Sequence, residues 1–274
     1  MDEATSLLGE HGDDAIAIAG GAAVTVLMKL GLIQPAHIVS LSRLEGLHGI
    51  RDESEGLWIG ALTTHRQCET SPIVRAFNAT LAETFAKVAT IRIRNQGTLG
   101  GNIVHADPAQ DPPPALIALD ATAVIAGPGG VSRETPLDGL FTGFFSVAME
   151  PGEVLTGVRI PRLAPTTRTT YHKFLPRTVD DYATVSVAAA ARVDGDGRIA
   201  DVRIVLGAVG ATPIRAVGAE ATLSGQRPSP QAIAEAAALV RDEIDPIGDT
   251  RGSREYKLEM ASVWTARALT EVTA

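Results

Sequence analysis

The 274-residue sequence holds a single cysteine, Cys68. One thiol closes no internal disulfide, and it cannot by itself hold a zinc ion or an iron–sulfur cluster. Any iron–sulfur redox partner must therefore sit on another chain, and a reducing, cytoplasmic setting is expected. Positive charge is also short. The formal net charge is −8 at pH 7, which argues against general nucleic-acid binding, because that needs a basic surface. No apolar run is long enough to span a membrane. The stretch from Met1 to Asp14 is acidic and lacks a basic region followed by an apolar one, so no secretory signal is expected. Internal repeats, low-complexity tracts and a Gly-x-Ser-x-Gly nucleophile motif are absent. What remains is 45% hydrophobic and 20% charged, a normal balance for a globular chain long enough for one large or two ordinary domains.

Against this background two glycine pairs stand out: Ala19-Gly20-Gly21, and Thr98-Leu99-Gly100-Gly101-Asn102. Glycine lacks a Cβ, so the main chain can approach a ligand closely and adopt φ > 0. Bare amides at such turns form a nest for an anion, typically a phosphate. Two of them on one chain suit a molecule with two linked phosphates, of which a dinucleotide is the natural candidate. The first turn, Ala19 to Val24 through Ala22 and Ala23, matches neither a Rossmann nor a Walker pattern, and turn geometry alone also explains it. The second is richer, since Arg92, Arg94, Asn95, Gln96, Thr98 and Asn102 surround Gly97, Gly100 and Gly101.

Periodicity predicts a helix over 4–10, a buried strand over 15–19, and a helix opening directly after the first glycine pair. Further strands are expected at 38–41, 57–62, 121–126 and 154–160, and helices at 81–90 and from Asp111-Pro-Pro-Pro onward. The polar stretch 161–170, with its prolines and threonines, reads as a domain boundary. Beyond it, strand-like runs at 183–193 and 199–209 flank Asp194-Gly195-Asp196-Gly197, a strong hairpin signal. Helices are expected from Ser229-Pro230 to about 244 and over 253–269.

His105, Asp107 and Asp111 invite a metal reading, but the segment offers one histidine and no cysteine. A carboxylate that hydrogen-bonds an organic cofactor is the better role for Asp111. No metal site is expected, and His65, His105 and His172 read as surface or satisfied polar residues. Lys173 and Tyr182, just past the boundary, are candidate cofactor contacts, with a surface lysine and a packed tyrosine as the plainer alternatives.

In order along the chain, Ala19-Gly20-Gly21, Met28-Lys29-Leu30, Thr98 to Asn102, Ala106-Asp107-Pro108-Ala109-Gln110-Asp111, Glu153-Val154-Leu155, Tyr171-His172-Lys173-Phe174, Asp181-Tyr182-Ala183 and Arg251-Gly252-Ser253-Arg254-Glu255-Tyr256 together make one pattern. It resembles the FAD-binding medium subunit of the molybdenum hydroxylases: the carbon monoxide dehydrogenase medium subunit family, homologous to the flavin domain of xanthine dehydrogenase. The resemblance implies an α+β fold. A two-subdomain, vanillyl-alcohol-oxidase-like FAD-binding domain would cover 1–163, and a small α+β domain with a three-stranded sheet and helices would cover 168–274. It further implies FAD on Ala19, Gly20, Gly21, Ala22, Ala23 and Val24, and on Thr98, Leu99, Gly100, Gly101 and Asn102. Asp111, Leu155, Lys173 and Tyr182 would supply further contacts, with no catalytic acid or base.

The implied function is that of a flavoprotein subunit, taking electrons from the [2Fe–2S] clusters of a small partner and passing them to an external acceptor. Molybdopterin would sit in a large partner, and the assembly would be a dimer of heterotrimers. A stand-alone flavin oxidoreductase and a non-catalytic subunit that has lost FAD are the alternatives. Two departures stand out. Ala22 and Ala23 replace the small polar residue usual after the first glycine pair. The family's leading strand before Ala4 is missing, so the start is expected to be truncated.

Overall fold

A computed structural model describes residues 1–176, 178 and 180–274. The chain folds as two compact units, the first made of Met1–Ala106 and Ala121–Pro161, the second of Asp107–Asp120 and Arg162–Ala274.

In the first unit, helix Asp2–His11 leads into strand Ala15–Ile18, which pairs in parallel with His37–Ser40 (Ala15 opposite His37). Ala4, Leu8, Val39, Leu41, Leu47 and Leu62 form the core here, with Ala15, Ala17 and Ala19 packed against it. A five-stranded antiparallel sheet follows, in the order Ile50–Glu53, Gly56–Gly60, Val154–Pro161, Thr122–Ala126, Ser132–Pro136. Between its second strand and Ala106 the chain breaks into short helices, and the sequence shows why. Thr64, Ser71, Asn78, Thr90 and Thr98 each accept a hydrogen bond from the amide three residues on, capping His65–Thr70, Pro72–Phe77, Ala79–Ala86, Ile91–Gln96 and Leu99–His105 in turn. A side-chain oxygen at each of these points satisfies a donor that would otherwise be orphaned, so ending one helix and starting the next is inexpensive. Leu81, Phe85, Leu99 and Ile103 from this run are fully buried. So is Cys68, whose burial raises its thiol pKa.

The second unit is a four-stranded antiparallel sheet, Arg168–Phe174, Val185–Val193, Ile199–Gly207, Ile214–Arg215, with helices Val217–Leu223, Pro230–Glu243 and Arg254–Thr273. The fourth strand goes beyond the three expected; two residues are too few to leave a periodic signal. Val185, Val187, Ala189 and Ala191 share a core with Ile233, Ala236, Val240, Ala261, Ala268 and Leu269 of the helices. Because side chains alternate along a strand, Ser186 points to the other face. There helix Pro112–Ala118 lies so close to Gly207 that a Cβ on that glycine would sit 2.8 Å from Pro114 Cγ. Buried on both faces, Val185–Val193 reads as a near-continuous apolar run. Strand Arg168–Phe174 starts inside the stretch read from sequence as boundary: Thr169 and Thr170 are β-branched and pair with Ala190 and Ala189. Among the described residues, no helix is long and apolar enough to cross a membrane.

Candidate nucleotide-binding site

The first glycine turn leaves strand Ala15–Ile18 and enters helix Val24–Lys29. Gly21 has φ +75°, a conformation open to glycine at no steric cost. The turn is fixed from within, since Thr25 Oγ1 donates to the Gly21 carbonyl at 2.6 Å. Its backbone amides are the notable feature. Among the described residues, the N–H groups of Gly20, Gly21, Ala22, Ala23 and Val24 have no acceptor in the chain, and the segment is half-exposed. A row of unspent donors around a positive-φ glycine is what an anion nest requires.

Gly20 is there for a different reason. A Cβ at this position would lie 1.8 Å from the Gln96 carbonyl oxygen and 2.8 Å from its carbon. The two glycine motifs are thus pressed together, backbone on backbone.

The second motif is built otherwise than its composition suggests. Thr98 caps helix Leu99–His105 by accepting from Gly101 N at 3.1 Å. Leu99 N donates to Thr63 O at 2.9 Å, Gly100 N to Ala61 O at 2.8 Å, and Asn102 N to Thr98 O at 2.9 Å. The amides read as bare from sequence are therefore spent within the chain here, because the residues begin a helix docked on Ala61–Thr63. Gly100 is required by that docking, since its Cβ would meet Ala61 Cβ at 2.6 Å. Gly101 is exposed, and the Asn102 Oδ1 atom is buried without a partner among the described residues.

Nor does Arg94 offer a free donor. Its guanidinium is bound to Glu69 at 2.9 Å and to the carbonyls of Val88 and Ala89. Arg92, Asn95 and Gln96 are exposed. Leu155 is buried in the sheet opposite Ile125.

Sequence reading missed the part of His65. It is 2% exposed. Its amide donates to Gly97 O at 3.0 Å, a Cβ on Gly97 would stand 3.2 Å from its ring, and it faces Phe85 at 5.9 Å. Burial first, and the Arg94 charge second, lower its pKa to about 4, so the imidazole is neutral. The usable signal was the capping box Thr64-x-x-Gln67, which fixes the helix that starts at His65.

The second unit gathers the remaining candidates in its own interior. Asp111 precedes helix Pro112–Ala118 and is 5% exposed. Its Oδ1 accepts from Tyr171 OH at 2.6 Å and its Oδ2 from Lys173 Nζ at 2.9 Å. Burial and the adjacent carboxylate hold the Tyr171 phenol well above its ordinary pKa. The lysine side chain is 4% exposed, so a buried cation and a buried anion neutralise each other, with a phenol as third member. Tyr182, by contrast, is 43% exposed.

The donor set fits FAD. A negative diphosphate needs amide donors without competing acceptors, and Gly20 to Val24 supply them where the absent side chains of Ala22 and Ala23 do not. The fold and this cradle define a dinucleotide-binding α+β protein.

The comparisons narrow this further. Residues 1–163 match the family model described as the FAD binding domain in molybdopterin dehydrogenase. Residues 170–272 match the CO dehydrogenase flavoprotein C-terminal domain. The chain is 37% identical to the carbon monoxide dehydrogenase medium chain of Hydrogenophaga pseudoflava, over 98% of this chain and 93% of that one. Among solved structures it is similar to a carbon monoxide dehydrogenase from Hydrogenophaga pseudoflava (39% identity, TM-score 0.95, covering 99% of this chain and 93% of that one). It is also similar to quinoline 2-oxidoreductase from Pseudomonas putida 86 (32% identity, TM-score 0.91, covering 100% and 94%). The chain belongs to the family of FAD-binding medium subunits of the molybdenum hydroxylases.

Proposed function

We propose that this chain is the flavoprotein subunit of a molybdenum hydroxylase, receiving electrons from [2Fe–2S] clusters on a small partner and delivering them to an external acceptor. A large partner would carry molybdopterin, and the complex would be a cytoplasmic dimer of heterotrimers. The domains would run over 1–163 and 168–274. FAD, when bound, supplies the redox chemistry; the protein positions it and tunes its electronics.

The single observation that carries this reading is the row of unspent amides from Gly20 to Val24. These would hold the diphosphate, with Ala19 as the packed base of the turn. Thr98, Leu99, Gly100, Gly101 and Asn102 would hold the adjoining part of the nucleotide. Gly101 would offer its exposed backbone and Asn102 its amide, while Leu99 and Gly100 keep the helix docked. Leu155 would be a further contact from the first unit. In the second unit, Lys173 and Tyr182 would contact FAD, and Asp111 would act by holding the Lys173 ammonium.

With Ala22 and Ala23 in place of a hydroxyl, one side-chain hydrogen bond is missing. That weakens FAD by about 0.5–1.5 kcal/mol and leaves the backbone to do the binding. No side chain is required to move a proton, which agrees with the buried, paired state of Asp111, Tyr171 and Lys173.

The test is direct. The purified chain is expected to show flavin absorption, or to acquire it on addition of FAD and retain it through gel filtration. A folded chain that neither holds nor takes up FAD refutes the reading.

A further inference from the structure

The motif Arg251-Gly252-Ser253-Arg254-Glu255-Tyr256 has so far no part in the proposed function. It lies about 70 residues from Tyr182 in sequence, yet Arg251 is the residue that grips the tyrosine's surroundings. Arg251 Nη2 donates to Asp181 Oδ1 at 2.7 Å. The same oxygen accepts from the Tyr182 amide at 2.7 Å, so one carboxylate ties the guanidinium to the tyrosine's own backbone. The guanidinium carbon stands 5.7 Å from the Tyr182 ring centroid, within reach of the ring's negative face. At the far end of the ring, the Asp107 carboxylate acts on the Tyr182 hydroxyl through its charge. Burial and that carboxylate keep the phenol protonated up to about pH 12. Tyr182 is thus held at its backbone and its face, although 43% of its surface is exposed.

Arg251 is itself fixed from behind. Its amide donates to Asp249 Oδ1 at 2.8 Å. Asp249 Oδ2 and the Ile247 carbonyl both accept from Lys257 Nζ at 2.9 Å. The lysine side chain is 5% exposed and lies on helix Arg254–Thr273. Asp249 and Gly252 close the loop with reciprocal backbone bonds of 2.9 and 3.2 Å. Gly252 has to be glycine, since a Cβ there would meet Tyr256 Cδ1 at 2.7 Å. A long helix, a buried lysine and a tight loop therefore fix the backbone from which the Arg251 side chain reaches Asp181.

A half-exposed aromatic side chain normally samples several rotamers. Holding this one costs side-chain entropy that a mere surface residue does not need to give up. We propose that Arg251 is a positioning residue for Tyr182, holding its ring in the one orientation in which it meets the isoalloxazine. This rests on the flavin reading above and deepens it. The arginine acts through the tyrosine and need not touch the cofactor.

The experiment uses the full-length chain loaded with FAD and reads the emission of the bound flavin, which a stacked tyrosine quenches, beside the thermal midpoint. Tyr182→Leu is expected to raise bound-flavin emission several-fold. Arg251→Gln is expected to produce most of that rise with Tyr182 still present. In the Tyr182→Leu background it should add nothing, because coupled residues do not act additively. If Arg251→Gln fails to fold, Asp181→Asn removes the carboxylate it grips and is expected to give the same rise.

The inference is overturned if Arg251→Gln, or Asp181→Asn in its place, leaves emission at the wild-type level while Tyr182→Leu raises it. It is equally overturned if Tyr182→Leu has no effect, or if the arginine effect persists undiminished without the tyrosine. A wild-type chain that binds no flavin removes the parent reading and this one together, a result distinct from all of these.

Discussion

Replacing Gly20 by alanine places a methyl carbon 1.8 Å from the Gln96 carbonyl oxygen. Ordinary carbon–oxygen contacts lie near 3.3 Å, so the two glycine motifs must part by about 1.5 Å. Neither side yields easily, because both obstructing atoms are backbone. Overpacking of this kind costs about 1–3 kcal/mol, and the upper end applies where no flexible side chain absorbs the clash. For a unit of this size that is a fall in Tm of roughly 6–12 °C.

The loss of FAD should be larger in proportion than the loss of fold. Shifting the turn breaks the alignment of its amides on the diphosphate, and forfeiting two charge-assisted hydrogen bonds costs about 3 kcal/mol or more. Kd then rises by a factor on the order of 100. The assay is a FAD titration followed by flavin emission, with thermal unfolding in parallel. Gly139→Ala is the control, since a Cβ there meets open space at an ordinary backbone angle. If Gly20→Ala binds FAD within about threefold of wild type at an unchanged Tm, the backbone contact between the motifs does not organise the cradle.

Two further outcomes follow from buried charge. Asp111→Asn removes the carboxylate that the buried Lys173 ammonium meets at 2.9 Å, and should destabilise the chain by about 3–5 kcal/mol in denaturant unfolding. Adding Lys173→Met should recover most of that loss, and a single variant of near wild-type stability would contradict the pairing. His65 gives a pH signature. Its folded pKa of about 4 lies below the unfolded value near 6.5, so the unfolded chain binds the extra proton between these limits. The neutral ring's contribution is complete above about pH 6.5 and drains away as pH falls toward 4, by roughly 3 kcal/mol in all. Compared with wild type, His65→Gln should lack that part of the slope in urea unfolding measured at pH 7 and pH 5; parallel slopes would refute it.

Much of this was legible from residue order. Asp194-Gly195 foretold the hairpin joining Val185–Val193 to Ile199–Gly207, and Ser229-Pro230 foretold the start of helix Pro230–Glu243, because both signals are local. The glycine pairs pointed to close approach but not to what approached. At Gly20 and Gly100 a Cβ would meet the chain itself, while among the described residues the amides from Gly20 to Val24 have no acceptor in the chain. Long-range pairing was invisible: nothing near Arg94 announces Glu69, and nothing near Asp111 announces Tyr171, since those partners are set by packing. Strand Arg168–Phe174 was obscured because its first residues are polar threonines and it lies at an edge of its sheet, where alternation is weak.

The segment Asp107–Asp120 belongs to the second unit although first-unit sequence flanks it on both sides. A fragment cut at the polar stretch and expressed from residue 168 onward would lack Pro112–Ala118, whose residues are all buried. It would strand Tyr171 and Lys173 without their carboxylate. Any attempt to shuffle halves between relatives must therefore carry this excursion along with the carboxy-terminal piece, or graft it back as a separate insert.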